Sequence, residues 1–290
     1  MPSTNTPLRY PGGKSQLTEF VYHTIQLNSI HDTIYCEPFS GGAGVAMSLL
    51  LKNRVSSVIL NDLDTAIYSI WHAILKDTGR LLNAIENVNV SMETWHQQRQ
   101  IYDRLRDSED YSFDLAFAAF FLNRTNRSGI ITGGPIGGME QTGKYLVDCR
   151  FNKKTLSTKI RKIADNRNRI ELYHLDAVDL IHKVLLRQPT DRLFTFFDPP
   201  YYQQGKNLYK NAFDDANHRE LAMAIHTMQS YHWIVTYDDT SKIEEIYSAD
   251  NETLRYTLQY MATQKRREQE LFFHSPITTV ESFDKVVFEE

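Results

Sequence analysis

The chain has 290 residues, a net charge of −4 and 41% hydrophobic content, with two cysteines, Cys36 and Cys149, and ten histidines. This excludes a globally basic nucleic-acid binder, although a local basic patch would still engage phosphates. It also excludes a disulfide framework or zinc cluster, and no His-x-x-x-His pair suggests a protein-bound metal.

From the N-terminus, MPSTNTPLRYPGGK has no apolar signal core, and no run of about 18 apolar residues predicts a membrane span. A soluble cytoplasmic protein is the simplest expectation. YPGGKS invites a phosphate-loop reading, but that motif needs glycine where Leu8 stands. TIYCEPF from Thr33 reads as a strand and GVAMSLLLKN as the helix after it. SSVILND reads as a second strand, with a helix over Leu63 to Lys76. From about Trp71 to Arg167 the pattern is mostly helical. It is broken by RTNRSGIITGGPIGGMEQTGK, a glycine-rich stretch that predicts a long functional loop. Residues 150–169 hold Arg150, Lys153, Lys154, Lys159, Arg161, Lys162, Arg167 and Arg169 against Asp165 alone. RIELYHLD from Arg169, RLFTFFD from Arg192 and YHWIVTYDD from Tyr231 read as further strands, each ending at or near an aspartate. Continuous apolar strands alternating with helices predict an α/β fold whose sheet is covered on both faces.

Ligands bind outside the carboxyl ends of such strands. Four candidates fall there. EPFSGGAG puts Gly41, Gly42 and Gly44 between strand and helix, where a backbone must come close to a ligand or simply turn tightly. In NDLD, Asp62 suits ribose hydroxyls or a helix cap, while Asp64 suits the first turn of the next helix. Asp176 closes IELYHLD. In DPPYY, Asp198 and the free carbonyl of Pro199 form an acceptor pair able to grip both hydrogens of one –NH₂ group. Pro199 and Pro200 stiffen the turn, and Tyr201 can stack on a flat ring carrying that amine. Tyr202 has the weaker claim and suits packing beneath the site.

These segments, in this order, resemble the DNA adenine-specific methyltransferases typified by the Dam methylase. LRYPGGKSQL is similar to that family's N-terminal box, EPFSGGAGVAM to its AdoMet loop, and NDLD to its acidic strand end. FFLNRTNRSGI resembles the start of its DNA-reading segment, DPPYY its catalytic box, and QKRREQELFF a late hairpin and strand. The resemblance implies a Rossmann-like AdoMet-dependent methyltransferase sheet over 1–70 and 168–290, with an inserted, mainly helical DNA target-recognition domain over 71–167. It implies methyl transfer from S-adenosyl-L-methionine to the exocyclic N6 of adenine in double-stranded DNA, with the base flipped out and no metal. Asp198, Pro199, Pro200 and Tyr201 would be catalytic. Tyr10, Lys14, Glu37, Phe39, Gly41, Asp62, Asp176 and Asp198 would meet the cofactor. Arg124, Asn126 and Arg127 would face DNA, and Lys265, Arg266 and Arg267 its phosphates. For these basic and amide side chains, pairing within the insertion or a solvated charge run is the competing reading. One departure stands out: the family's F-x-G-x-G spacing calls for glycine at position 43, where this chain has Ala43. A cognate restriction endonuclease is a further candidate partner, and a monomer or weak dimer is expected. RNA adenine or another amine as the acceptor, and a catalytically silent DNA-binding homologue, are the alternatives.

Overall fold

The continuous apolar runs form the centre of a seven-stranded sheet in a computed structural model that describes residues 4–10, 14–203, 213–247, 252–261 and 265–289, with the side chains of 258–261 and 265–268 excepted. The first five strands are β1 (Ile34–Glu37), β2 (Ser57–Asn61), β3 (Ile170–Tyr173), β4 (Leu193–Phe197) and β5 (His232–Asp238). All five are parallel. They are followed by the antiparallel hairpin β6 (Leu254–Met261) and β7 (Lys265–His274), and β7 pairs with β5. The order across the sheet is β3-β2-β1-β4-β5-β7-β6.

Side chains alternate between the two faces with the strand period of two. Tyr35, Val58, Leu60, Phe194, Phe196 and Ile234 feed one apolar cluster. Cys36, Ile59, Leu193, Phe197, Trp233, Val235 and Tyr237 feed the other. The first face is covered by α1 (Thr18–Leu27), α2 (Gly44–Leu51) and helices that enter between β2 and β3: α3 (Thr65–Lys76), α4 (Thr78–Asn87), α5 (Met92–Leu105), α6 (Phe113–Thr125) and α7 (Lys153–Ala164). The second face is covered by α8 (Ala177–Lys183), α9 (Asp215–His226) and α10 (Ser241–Tyr247). Burial from both sides explains why β4 reads as an unbroken apolar run, with all five residues buried. No helix among the described residues is long and apolar enough to cross a membrane.

The chain runs outward from β1 to β2 to β3, then returns to the other side of β1 for β4 and β5. The switch of direction lies between β1 and β4, and ligands of such sheets bind at that point, outside the carboxyl ends of the strands. Asn61 closes β2 and stitches this edge together. Its amide donates to Pro38 O and Leu175 O, each at 2.9 Å, and accepts from Leu175 N at 2.9 Å. The ends of β1, β2 and β3 are thereby tied to one side chain with 1% exposure.

Candidate active site

The turn after β1 is built around a ring and two carboxylates. Gly41 has φ +44°, and a Cβ there would lie 2.7 Å from the Tyr10 ring. A Cβ on Gly42 would lie 2.9 Å from Cβ of Tyr10. Both glycines therefore make room for a tyrosine that packs flat on the loop. Gly41 N–H donates to Asp62 Oδ2 at 2.8 Å, and Trp71 Nε1 donates to the Gly41 carbonyl at 2.9 Å. Ala43, the departure from the glycine pattern, sits at φ +44°, ψ +44° immediately before α2. The loop forms with alanine in a left-handed conformation that costs about 1–2 kcal/mol relative to glycine.

Asp62 is half-buried at the end of β2. Oδ2 serves Gly41 N–H and Oδ1 serves Asp64 N–H at 3.0 Å. Burial first, and then Asp64, push its carboxyl up to about 7. Asp64 caps α3, accepting from Ala66 N and Ile67 N, as its position in NDLD suggests. Glu37, expected at the cofactor, points instead into the interior with 7% exposure. Its Oε1 accepts from Ala46 N at 2.9 Å and Tyr35 Oη at 3.1 Å, so it ties β1 to the first turn of α2. Burial pushes Glu37 up to about 8. Asp176 is exposed and caps α8 through Val178 N at 2.8 Å. Phe39 is half-buried and meets Phe213 edge-on at 5.9 Å.

Across the switch point, DPPYY follows β4. Lys14 Nζ lies 3.0 Å from Asp198 Oδ1, and Thr236 Oγ1 donates to the same oxygen at 2.9 Å. Oδ2 has no hydrogen-bond partner among the described residues. Burial raises the Asp198 carboxyl, Lys14 opposes this, and Glu270 pushes in the same direction as burial; the net shift is upward. Tyr201 Oη accepts from Lys14 Nζ and donates to Glu270 Oε1 at 2.6 Å. Lys14 also lies 4.6 Å from the Tyr201 ring centre. Asp238, at the end of β5, holds the turn from behind: its two oxygens accept from Tyr202 N at 2.9 Å and Gln203 N at 2.8 Å. Tyr202 turns away to donate to Asp215 at 2.7 Å.

The DNA-reading expectations fare unevenly. Arg127 is exposed on the turn after α6. Arg124 is half-buried and spends its guanidinium on the carbonyls of Arg150 and Pro7; burial, with Arg9 and Arg150 nearby, lowers it to about 10. Asn126 has 0% exposure. Its amide donates to Ile130 O, Ile131 O and Gly133 O at 2.8–3.0 Å and accepts from Trp95 Nε1 at 2.7 Å. With every polar atom engaged internally, Asn126 shapes the loop and does not present an edge to a base. Lys265, Arg266 and Arg267 lie at the start of β7, opposite Met261, Tyr260 and Gln259; their side chains lie outside the described residues.

Sequence reasoning missed several residues of the site. Asn123 takes Arg9 N–H at 2.9 Å and donates to Arg9 O and Gly129 O, clasping the N-terminal box against the loop. Thr236, Asp238, Tyr256 and Glu270 were not singled out either. The one local signal for Glu270 is an acid flush against the apolar run LFF; the closing aspartates of YHWIVTYDD pointed at Asp238 without giving it a role.

Parallel strands in the order 3-2-1-4-5, an antiparallel β7 beside β5, and a glycine turn with acidic residues at the switch point define a Rossmann-like AdoMet-dependent methyltransferase. Residues 10–264 match the D12 class N6 adenine-specific DNA methyltransferases, and the chain belongs to that family. It is an adenine-specific DNA methyltransferase. It is 24% identical over 211 residues to the Type II methyltransferase M.MjaIII of Methanocaldococcus jannaschii, which covers 69% of this chain and 70% of that protein. Among solved structures it resembles an rRNA methyltransferase, aviRa, from Streptomyces viridochromogenes (12% identity, 93% and 87% of the two chains, TM-score 0.41). It also resembles a putative RNA methyltransferase from Pyrococcus horikoshii (8%, 92% and 83%, 0.39). Likeness at that level adds nothing to the fold, which the sheet order itself defines.

Proposed function

We propose that Asp198 is the acceptor that activates the adenine amine, and that the Lys14–Thr236 pair aims it. The carrying observation is the division of labour on its carboxylate. Both protein partners fall on Oδ1, so Oδ2 is left for the amine. The exocyclic nitrogen is a poor nucleophile while its lone pair is delocalised into the ring. Acceptance of one N–H by Oδ2 and the other by the Pro199 carbonyl favours a pyramidal nitrogen. That interaction strengthens toward the transition state, so it accelerates transfer and does not merely bind. The amine sheds one proton as its new N–C bond forms, and a carboxyl already raised above its ordinary range is suited to hold it at Oδ2.

The switch point suits AdoMet by its chemistry. Half-buried Asp62 keeps a second lone pair on each oxygen for ribose hydroxyls. Phe39 and the exposed Leu63 offer apolar surface to a base, and Asp176 is the further acceptor. Tyr10 stiffens the glycine turn. When bound, AdoMet supplies a methyl carbon activated by a sulfonium. Because the amine is inaccessible within a duplex, the target base is flipped out, and Tyr201 is the stacking ring. Residues 71–167 form the target-recognition domain, with Arg127 exposed at its reading turn and Arg124 fixing that turn from behind. Lys265, Arg266 and Arg267 meet phosphates. The enzyme acts on double-stranded DNA in the cytoplasm as a monomer or weak dimer, with a cognate restriction endonuclease as partner.

The test uses purified protein, labelled AdoMet and unmethylated genomic DNA, with modified bases mapped at single-molecule resolution. Wild type should leave N6-methyladenine at one short motif, and Asp198→Ala should leave none while still binding AdoMet. Transfer by the variant would remove Asp198 from this role.

A further inference from the structure

Glu270 stands on β7, behind the catalytic turn, with 1% of its surface exposed. An ionised carboxylate survives such burial only when it is compensated. Among the described residues, three donors converge on it. Tyr201 Oη donates to Oε1 at 2.6 Å, Tyr256 Oη from β6 donates to Oε2, and Lys14 Nζ lies 3.6 Å from Oε1. Two of those three, Tyr201 and Lys14, are the groups that flank Asp198. Lys14 is itself buried, at 6% exposure, between two carboxylates. One cation thus faces two anions, and Glu270 is the one that no substrate amine is expected to touch.

We propose that Glu270 is a positioning residue for methyl transfer, fixing Lys14 and Tyr201 so that Lys14 holds Asp198 by Oδ1. The geometry gives the reason. A lysine tail has many rotamers, and its contacts to Asp198 and to the Tyr201 hydroxyl fix Nζ only as firmly as Tyr201 itself is held. A second anion on the far side, shared with the Tyr201 hydroxyl, pins Nζ at the crossing point. Tyr201 is pinned by the same oxygen, which sets the height and tilt of the ring. The antiparallel hairpin reaches into the site from the far edge of the sheet, which gives β6 and β7 a catalytic reason to pair beside β5. The inference rests on Asp198 as the amine acceptor.

The test measures single-turnover methylation of a DNA carrying the recognised motif, together with AdoMet affinity and thermal melting, for full-length wild type, Glu270→Gln, Glu270→Asp, Lys14→Gln, the Lys14→Gln/Glu270→Gln double variant and Asp198→Ala. Misplacement by about 1 Å costs on the order of 100-fold in rate, so Glu270→Gln should slow transfer by about that factor with AdoMet affinity changed less than about threefold. Glu270→Asp keeps the charge and should recover roughly tenfold of the loss, again on the scale of sub-ångström placement. Because Glu270 acts through Lys14 and also holds Tyr201, adding Glu270→Gln to Lys14→Gln should cost clearly less than Glu270→Gln costs in the wild type. Wild-type speed in Glu270→Gln, an equal further loss in the double variant, or a loss that follows AdoMet affinity alone would overturn the inference. If Glu270→Gln does not fold, wild-type speed in Glu270→Asp would do the same. Transfer by Asp198→Ala would instead overturn the underlying assignment, whatever Glu270 does.

Discussion

The same methyl group should be costly at one position of the turn after β1 and nearly neutral at another. Gly41 and Ala43 share φ +44°, yet only one of them already carries a Cβ. In Gly41→Ala the new methyl would meet three atoms of the Tyr10 ring at 2.7–3.0 Å. Left-handed backbone costs alanine about 1–2 kcal/mol. A stiffer unfolded chain returns about 0.4–1 kcal/mol, and overpacking against a ring costs about 1–3 kcal/mol. The net is a loss of about 3 kcal/mol. Displacing Tyr10 also disturbs the Gly41 N–H that donates to Asp62, so AdoMet affinity should fall with stability. Ala43→Gly relieves the same backbone cost, loses about 0.8 kcal/mol for one buried methyl, and frees the unfolded chain. Those effects nearly cancel, which explains how alanine persists where the family pattern has glycine. Urea unfolding and AdoMet titration of both variants check this. If Gly41→Ala came within about 1 kcal/mol of wild type, the packing of Tyr10 on this turn would be wrong.

Glu37→Gln should flatten the pH dependence of stability. The Glu37 carboxyl is raised on folding, so the folded state binds the proton more tightly, and stability falls as pH rises from about 4.5 to about 8. Glutamine keeps an acceptor for Ala46 N–H and Tyr35 Oη without the buried charge. Unfolding curves at pH 5 and 8 should therefore differ less for the variant than for wild type, and an unchanged difference would rule out Glu37 as the source. Asn126→Ala should destabilise by about 2–4 kcal/mol, because it orphans Trp95 Nε1 and leaves loop carbonyls without their donor. Mapping of methylated sites should show less modification at the same motif. A changed motif would restore Asn126 as a base-reading residue.

The central parallel strands were readable because burial on both faces leaves a local record: no charged residue interrupts FTFF or IVTY, and the threonine in each is itself buried. Hairpin β6–β7 left no such record. β6 is broken by polar residues, β7 opens on the charged run KRREQE, and only the resemblance pointed to it. The same logic divides the site. Asp62 and Asp198 were legible because each ends an apolar strand. Glu270 acquires its meaning from Lys14 and Tyr201, 256 and 69 residues away along the chain, which no local pattern encodes. Asn126 was read as a reader of bases because its side chain suits adenine. What the sequence conceals is that three carbonyls in its own loop need donors, and buried backbone groups are almost always paired. Glu37 misled for a related reason: an acid beside a glycine turn can serve the helix that follows as easily as a ligand.

The clasp between the N-terminal box and the loop after α6 bears on redesign of target choice. Arg9 donates its N–H to the Asn123 amide oxygen and accepts from the amide nitrogen, while its neighbour Tyr10 lies on Gly41 and Gly42. Gly129 is packed so closely that a Cβ would sit 2.3 Å from the Arg9 carbonyl. The seam for grafting a foreign reading loop therefore cannot run through 123–130. A chimera cut there would mismatch two surfaces at once and would lose its cofactor along with its old specificity. On the proposal that residues 71–167 read the target, the exchangeable stretch begins beyond Gly133, where the last carbonyl held by Asn126 lies. New specificities should be sought there, with residues 6–10 carried along unchanged.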